Sequence, residues 1–187
     1  MRILGLCGYK QSGKSTLAQV AKEEFHFVTV GFADELKRII KALWPAFTIE
    51  HMYGGKKEEV VEEYGKSFRE VAQHVGTDLF RAYDPDVWVR STRQTIEHYE
   101  HQMGKAARPL VIEDIRFDNE AALIHELGGE VWEVVRPEKD DRFERDTHKS
   151  ELGLLASSVD MAILNAFILD DYTAMCRRKL EEFVNER

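Results

Sequence analysis

A chain of 187 residues, 43% hydrophobic and 32% charged, has the length and composition of one globular domain with a complete core. A net charge of −8 argues against a nonspecific grip on nucleic acid, and two cysteines, Cys7 and Cys176, are too few for a disulfide framework or a cysteine-built metal site. Apolar runs such as Val28 to Phe32 are far too short to span a bilayer, and Arg2 to Cys7 lacks the length and cleavage site of a signal peptide, so the expectation is a cytoplasmic protein without membrane or nucleic-acid partners.

The first element is a short buried strand, Arg2 to Cys7, carrying Ile3, Leu4, Leu6 and Cys7. Gly8-Tyr9-Lys10-Gln11-Ser12-Gly13-Lys14-Ser15 follows, then Thr16, with Leu17, Val20 and Ala21 at helical spacing. Two glycines separated by four residues and followed by Lys and Ser have the P-loop spacing, in the strand-loop-helix context that the motif needs. Gly13 can take backbone angles closed to other residues, and successive N–H groups can then curl around a polyphosphate at the positive end of a helix. Lys14 would reach the β/γ-phosphates and Ser15 would offer its hydroxyl to Mg²⁺. Nucleotide binding follows; the fate of the phosphate does not.

After the P-loop helix, Phe27 to Phe32 reads as a second strand. Asp34 can cap a helix whose Leu36, Ile39, Ile40 and Leu43 form an apolar stripe, with Pro45 as its stop. Lys56 to Glu63 is rich in charge and reads as a solvated helical face. Ser67-Phe68-Arg69-Glu70 has the capping-box pattern and opens a helix that buries Phe68, Val71, Ala72 and Val75 and ends at Gly76; Arg69 and Gln73 share one of its faces. A long helix over about 85–103 starts at Asp84-Pro85, with Trp88 in its first turn.

Leu110-Val111-Ile112 is a buried strand ending on Glu113-Asp114, an acidic strand end that suits the Mg²⁺ side of a P-loop enzyme. A helix beginning at Asp118 or Asn119 runs to Gly128-Gly129, Val131 to Val135 is the next strand, and Arg136 sits just beyond it. The polar run that follows, with Arg142 and Arg145, has the character of an exposed loop or of a cationic lid over about 137–149. A short helix over Ser150 to Ser157, a last strand over Val159 to Leu164 and a closing helix over Asp171 to Glu186 complete the chain. The pattern predicts an α/β P-loop NTPase-like domain spanning 1–187, with a five-stranded parallel sheet, helices on both faces, an insertion over about 34–104 and the lid. Ligands should gather at the carboxyl ends of the strands, where Gly8, Phe32, Asp114, Arg136 and Asn165 fall.

In order and spacing these pieces resemble the deoxynucleoside monophosphate kinases of bacteriophages, a branch of the P-loop nucleoside monophosphate kinases. The resemblance rests on the P-loop, Phe32-Ala33-Asp34-Glu35-Leu36-Lys37, Arg69 with Gln73, Gly76-Thr77-Asp78, Trp88-Val89, the stretch from Asp114 to Glu120, Arg136, and His148-Lys149-Ser150-Glu151. It implies that Lys10, Gln11, Ser12, Gly13, Lys14, Ser15 and Thr16 bind the ATP phosphates and that Ser15 and Asp114 serve Mg²⁺. By the same resemblance Lys37, Arg69, Gln73, Asp78, Trp88, Arg116, Asn119 and Glu120 surround the acceptor, and Lys14, Arg136, Arg142 and Arg145 act on the transferring phosphoryl. The implied activity is ATP-dependent phosphorylation of deoxynucleoside 5′-monophosphates to diphosphates, in the host cytoplasm if the source is viral. Base choice, deoxy or ribo preference and a homodimer stay open. The alternative is another P-loop small-molecule kinase, such as a dephospho-coenzyme A kinase. A switch or motor ATPase is disfavoured, since the chain has no Asn-Lys-x-Asp or Asp-x-x-Gly element.

Overall fold

The first strand, β1 (Ile3–Cys7), is buried along its whole length because both of its faces are covered. Ile3 and Cys7 enter one hydrophobic core, while Leu4 and Leu6 enter the other, which is the period of two expected for a central parallel strand. The structure, a computed structural model, describes residues 1–137, 153–166 and 168–185. Its main sheet has the remaining strands β2 (Val28–Thr29), β5 (Leu110–Ile112), β6 (Glu130–Val135) and β7 (Met161–Leu164). The order is β2-β5-β1-β6-β7, and every pairing is parallel. This is the predicted five-stranded parallel sheet.

Helices cover both faces. On one side α1 (Lys14–Glu24) and the closing helix α7 (Leu169–Asn185) pack Leu17, Val20, Tyr172, Leu180 and Phe183 against Leu4, Leu6 and Trp132. On the other, α2 (Asp34–Leu43), α4 (Phe68–Gln73), α5 (Val87–Met103) and α6 (Asp118–Glu126) enclose Ile40, Phe68, Ile96, Ile124 and Ile112. A one-turn helix, α3 (Ile49–Met52), follows α2. No described helix is long and apolar enough to cross a membrane. Cys7 and Cys176 are buried free thiols, and burial pushes Cys7 up to about 12, so it packs as a small apolar side chain.

The structure departs from the expected elements in the insertion between α2 and β5. Lys56 to Glu63 is not a helix: it is a series of turns entering a two-residue strand, β3 (Val60–Val61), paired antiparallel with β4 (Lys66–Ser67). The Val60-Val61 pair between two charged runs forms one side of a hairpin closed at Gly65, whose φ is +61°. Nor does Gly76 end the helix that starts at Phe68. Ser67 and Glu70 form the capping box, but the chain runs through Gly76 as a π-helical segment, His74–Arg81. Gly76 is there for closeness: a Cβ on it would lie 2.5 Å from Leu36 Cδ2 of α2. The long helix begins at Val87, after an Asx turn in which Asp84 Oδ1 accepts the Asp86 N–H (3.2 Å). Of the short helix expected over Ser150 to Ser157, the described residues show one 3₁₀ turn, Ala156–Ser158.

Candidate active site

The loop after β1 has the backbone that its glycines require. Gly8 and Gly13 sit at φ +124° and +115°, and a Cβ on Gly8 would lie 2.4 Å from the Val134 carbonyl oxygen of β6. Two side chains from the far strand and closing helix hold the loop from behind: Asn165 Nδ2 donates to Ser12 O (2.7 Å) and the Tyr172 hydroxyl to Gly13 O (3.1 Å). Lys14 Nζ donates to Gly8 O (2.7 Å) and Tyr9 O (2.8 Å), which folds its ammonium over the loop. Gln11, Gly13, Lys14, Ser15 and Thr16 line a cavity that Arg136, Asn165 and Tyr172 close. Arg136 therefore faces the loop, as a strand-end position in this fold allows.

A second cavity lies under the insertion. Its walls are Phe32, Leu36 and Lys37 at the start of α2; Arg69, Gln73, Gly76, Thr77 and Arg81 along one face of α4 and its π-helical continuation; Trp88 of α5; and Arg116, Phe117 and Glu120 at the start of α6. Phe68, Trp88 and Phe117 make it aromatic, while Lys37, Arg69 and Arg116 make it cationic at one end. That end opens into a cleft shared with the P-loop, lined by Lys10, Lys14, Ser15, Lys37, Arg69, Asp114 and Arg116. Asp114 stands between the two cavities, its Oδ1 accepting the Phe32 N–H (3.0 Å) and its Oδ2 the Ala33 N–H (3.0 Å). Ser15, Glu113 and Asp114 all border this cleft, an oxygen donor set that fits a hard divalent cation.

Most of the residues singled out from sequence thus meet in two connected cavities, but not all. Asp78 is half exposed, lies near His74 (3.4 Å) and is not in the cavity wall. Asn119 stands behind the wall: its Nδ2 donates to Pro85 O (3.0 Å) and Asp86 Oδ1 (2.7 Å), and its Oδ1 accepts from Arg81 (3.2 Å), which ties α5 to α6. Trp88 is a wall, fixed by its indole N–H donating to Gly76 O (3.0 Å). Lys10 pairs with Glu58, which also pairs with Arg69 (2.7 Å), so one carboxylate joins the P-loop to α4. Those two cations hold the Glu58 carboxyl below its usual range. Lys37 Nζ lies 3.3 Å from Asp34 and 4.1 Å from the centre of the Tyr53 ring. Arg142 and Arg145 lie outside the described residues.

Sequence reasoning missed Arg81, Lys57 and Tyr53. Arg81 is buried, stacks on Phe117 (3.9 Å to the ring centre), donates to Pro85 O (2.8 Å) and forms an ion pair with Glu120. Glu120 Oε2 accepts the backbone N–H groups of Arg116 (2.8 Å) and Phe117 (3.2 Å), and burial pushes its carboxyl up to about 7. An arginine next to Leu79 and Phe80 carries no sequence signal of such a partner, because Glu120 is remote in the chain. Lys57 was hidden in a charged run.

Comparison with known proteins gives the family. Residues 48–175 match the family model described as deoxynucleotide monophosphate kinase, a span that starts beyond the P-loop and takes in the walls contributed by α4, α5 and α6. A protein of Acanthamoeba polyphaga mimivirus, provisionally named a deoxynucleotide monophosphate kinase, is 31% identical over 182 residues, which are 92% of this chain and 92% of that one. Among solved structures, a dephospho-CoA kinase from Campylobacter jejuni shares the fold, with a TM-score of 0.53 over 97% of each chain at 16% identity. With a family model matching well over half its length and this viral relative, the chain belongs to the deoxynucleotide monophosphate kinase family.

Proposed function

We propose that this protein transfers the γ-phosphoryl group of ATP to the 5′-phosphate of a deoxynucleoside monophosphate, giving ADP and a deoxynucleoside diphosphate. The observation that carries this reading is the shared cleft, where Lys14 and Ser15 of the P-loop face Lys37, Arg69 and Arg116 of the aromatic cavity across Asp114. A donor held at one end and a phosphate acceptor at the other would react in line, and the barrier would fall mainly through positioning and charge neutralisation. An acceptor phosphate is itself a competent nucleophile, so no general base is assigned. On ATP binding the Lys14 ammonium exchanges the Gly8 and Tyr9 carbonyls for phosphate oxygens, and Arg136 meets the donor phosphates from the end of β6. Ser15 and Asp114 would hold Mg²⁺, Asp114 through lone pairs not used by the Phe32 and Ala33 N–H groups, and the ion would supply charge neutralisation to the donor phosphates. Arg142 and Arg145 are proposed, from the family resemblance alone, to add lid cations to the transferring phosphoryl.

The aromatic walls favour a nucleoside on the acceptor phosphate. The base would lie among Phe68, Trp88 and Phe117, with Gln73 and Thr77 as uncharged hydrogen-bonding side chains of the same wall. The test is ADP release with Mg²⁺ and ATP against a panel of deoxy- and ribonucleoside monophosphates, with dephospho-coenzyme A and a no-acceptor control. Stimulation by deoxynucleoside monophosphates is expected. Lys14→Ala should lower kcat by about a hundredfold or more, on the scale of losing one preorganised transition-state contact. Arg69→Ala should act chiefly on acceptor KM, by about tenfold or more, as expected for one charge-assisted phosphate contact. Stimulation by dephospho-coenzyme A alone would replace the assigned acceptor.

A further inference from the structure

Lys56 and Lys57 are neighbours in one turn with opposite environments. Lys56 is exposed and pairs with Glu59 (3.2 Å), the ordinary state of a surface lysine. Lys57 is half-buried and borders both the aromatic cavity and the cleft that leads to the P-loop. We propose that Lys57 is a fourth cationic ligand of the acceptor phosphate, beside Lys37, Arg69 and Arg116, and that it selects for a dianionic phosphate monoester. The assignment rests on the kinase reading given above.

The turn is built to hold Lys57 there. The Arg69 N–H donates to Lys57 O (3.0 Å), so the residue is fastened to the first turn of α4, and Glu58 fastens the same turn to the Arg69 and Lys10 side chains. The electrostatic neighbours of the Lys57 ammonium are three cations, Lys37, Arg69 and Arg116, and one carboxylate, Glu113. Burial and those like charges push its pKa down. Four cations gathered in partly desolvated space repel one another, and Glu58 on Arg69, Asp34 near Lys37 and Glu113 near Lys57 offset part of that repulsion. An incoming phosphate dianion relieves that repulsion and gains a charge-assisted contact from each donor that reaches it. A neutral nucleoside would do neither, and this is the basis of the selection.

The variants Lys57→Gln and Lys57→Arg separate this role from a structural one. Lys57→Gln is expected to raise the acceptor KM about tenfold or more, the loss of one charge-assisted contact, while moving the ATP KM by less than about twofold. Its melting temperature should equal or exceed that of the parent protein, because a repelling charge has been removed. Lys57→Arg, which keeps the charge, should restore the acceptor KM to within about threefold. An unchanged acceptor KM in Lys57→Gln, or a rise in both KM values with a lower melting temperature, overturns the assignment. If the parent protein phosphorylates no monophosphate, the kinase reading itself fails, and inorganic phosphate decides the anion site. Thermal protection by phosphate that is lost in Lys57→Gln sustains the site, and equal protection of both proteins removes it.

Discussion

Glu120 shows how one buried side chain can set both a wall and a pH response. Its two oxygens are engaged by Arg81 and by two backbone N–H groups, so it holds Arg81 against Phe117 and fixes the turn that carries Arg116. Burial is the larger influence and pushes the carboxyl up to about 7, above its ordinary range. A raised carboxyl binds a proton in the folded chain that the unfolded chain has already released. Its contribution to stability is therefore full below the unfolded value and is lost as pH rises through the folded one. The whole effect is on the order of 3 kcal/mol. Glutamine mimics the protonated carboxyl, so in urea unfolding between about pH 4.5 and 7 the ΔG of the parent protein minus that of Glu120→Gln should fall as pH rises. Parallel curves would mean that Glu120 titrates normally. None of this was legible in the sequence, where Asp118-Asn119-Glu120 looks like an acidic helix start, because the desolvating partners come from elsewhere in the chain. The P-loop residues were legible for the opposite reason: their spacing lies within one short segment and their backbone demands are local.

At the scale of elements, the same division separates the sheet from the insertion. Short buried strands between glycine-bounded helices can be read from period and punctuation, and each lies in the described sheet near its expected place. The insertion was misread where local signals had two meanings. A glycine after an apolar stripe commonly ends a helix, but Gly76 lets α2 and the continuation of α4 approach closely. That approach has a testable consequence. Gly76→Ala should gain up to about 1 kcal/mol of helix propensity, but its Cβ would meet Leu36 Cδ2, and overpacking costs about 1–3 kcal/mol. A net loss is expected, roughly 1–2 kcal/mol, which lowers Tm by a few degrees in a chain of this size. Leu36→Val removes the colliding atom, so the double variant should be more stable than the two single losses predict, by about 1 kcal/mol. Additive losses would show that Leu36 moves aside freely and that Gly76 is retained for another reason, such as the Trp88 indole bond to its carbonyl.

The whole molecule places two cavities at the carboxyl ends of one sheet, and a cleft joins them. Lys14 and Ser15 border the P-loop cavity and the cleft, while Lys37, Arg69 and Arg116 border the cleft and the aromatic cavity. The sequence placed Gly8, Phe32, Asp114, Arg136 and Asn165 at the carboxyl ends of the strands, since strand ends fix them, but not the continuity of the cavities. Continuity depends on how the insertion folds over α2, and that rests on contacts such as Arg69 N–H to Lys57 O between segments whose separation no local pattern encodes. If phosphoryl transfer is direct, a single molecule should fill both cavities at once. An adenosine and a deoxynucleoside joined through a chain of phosphates tests this, because the second binding event then occurs at the effective concentration that the linker sets. With millimolar effective concentration, such a compound should bind about a hundredfold or more tighter than ADP alone. Its affinity should rise and then fall as phosphates are added, with the optimum marking the span of the cleft. Lys14→Ala and Arg69→Ala should each weaken it, although they stand at opposite ends. Affinity no better than that of ADP at any linker length, measured by calorimetry, would mean that the two cavities are not used together. The shared-cleft mechanism would then fall while the fold and the family stand.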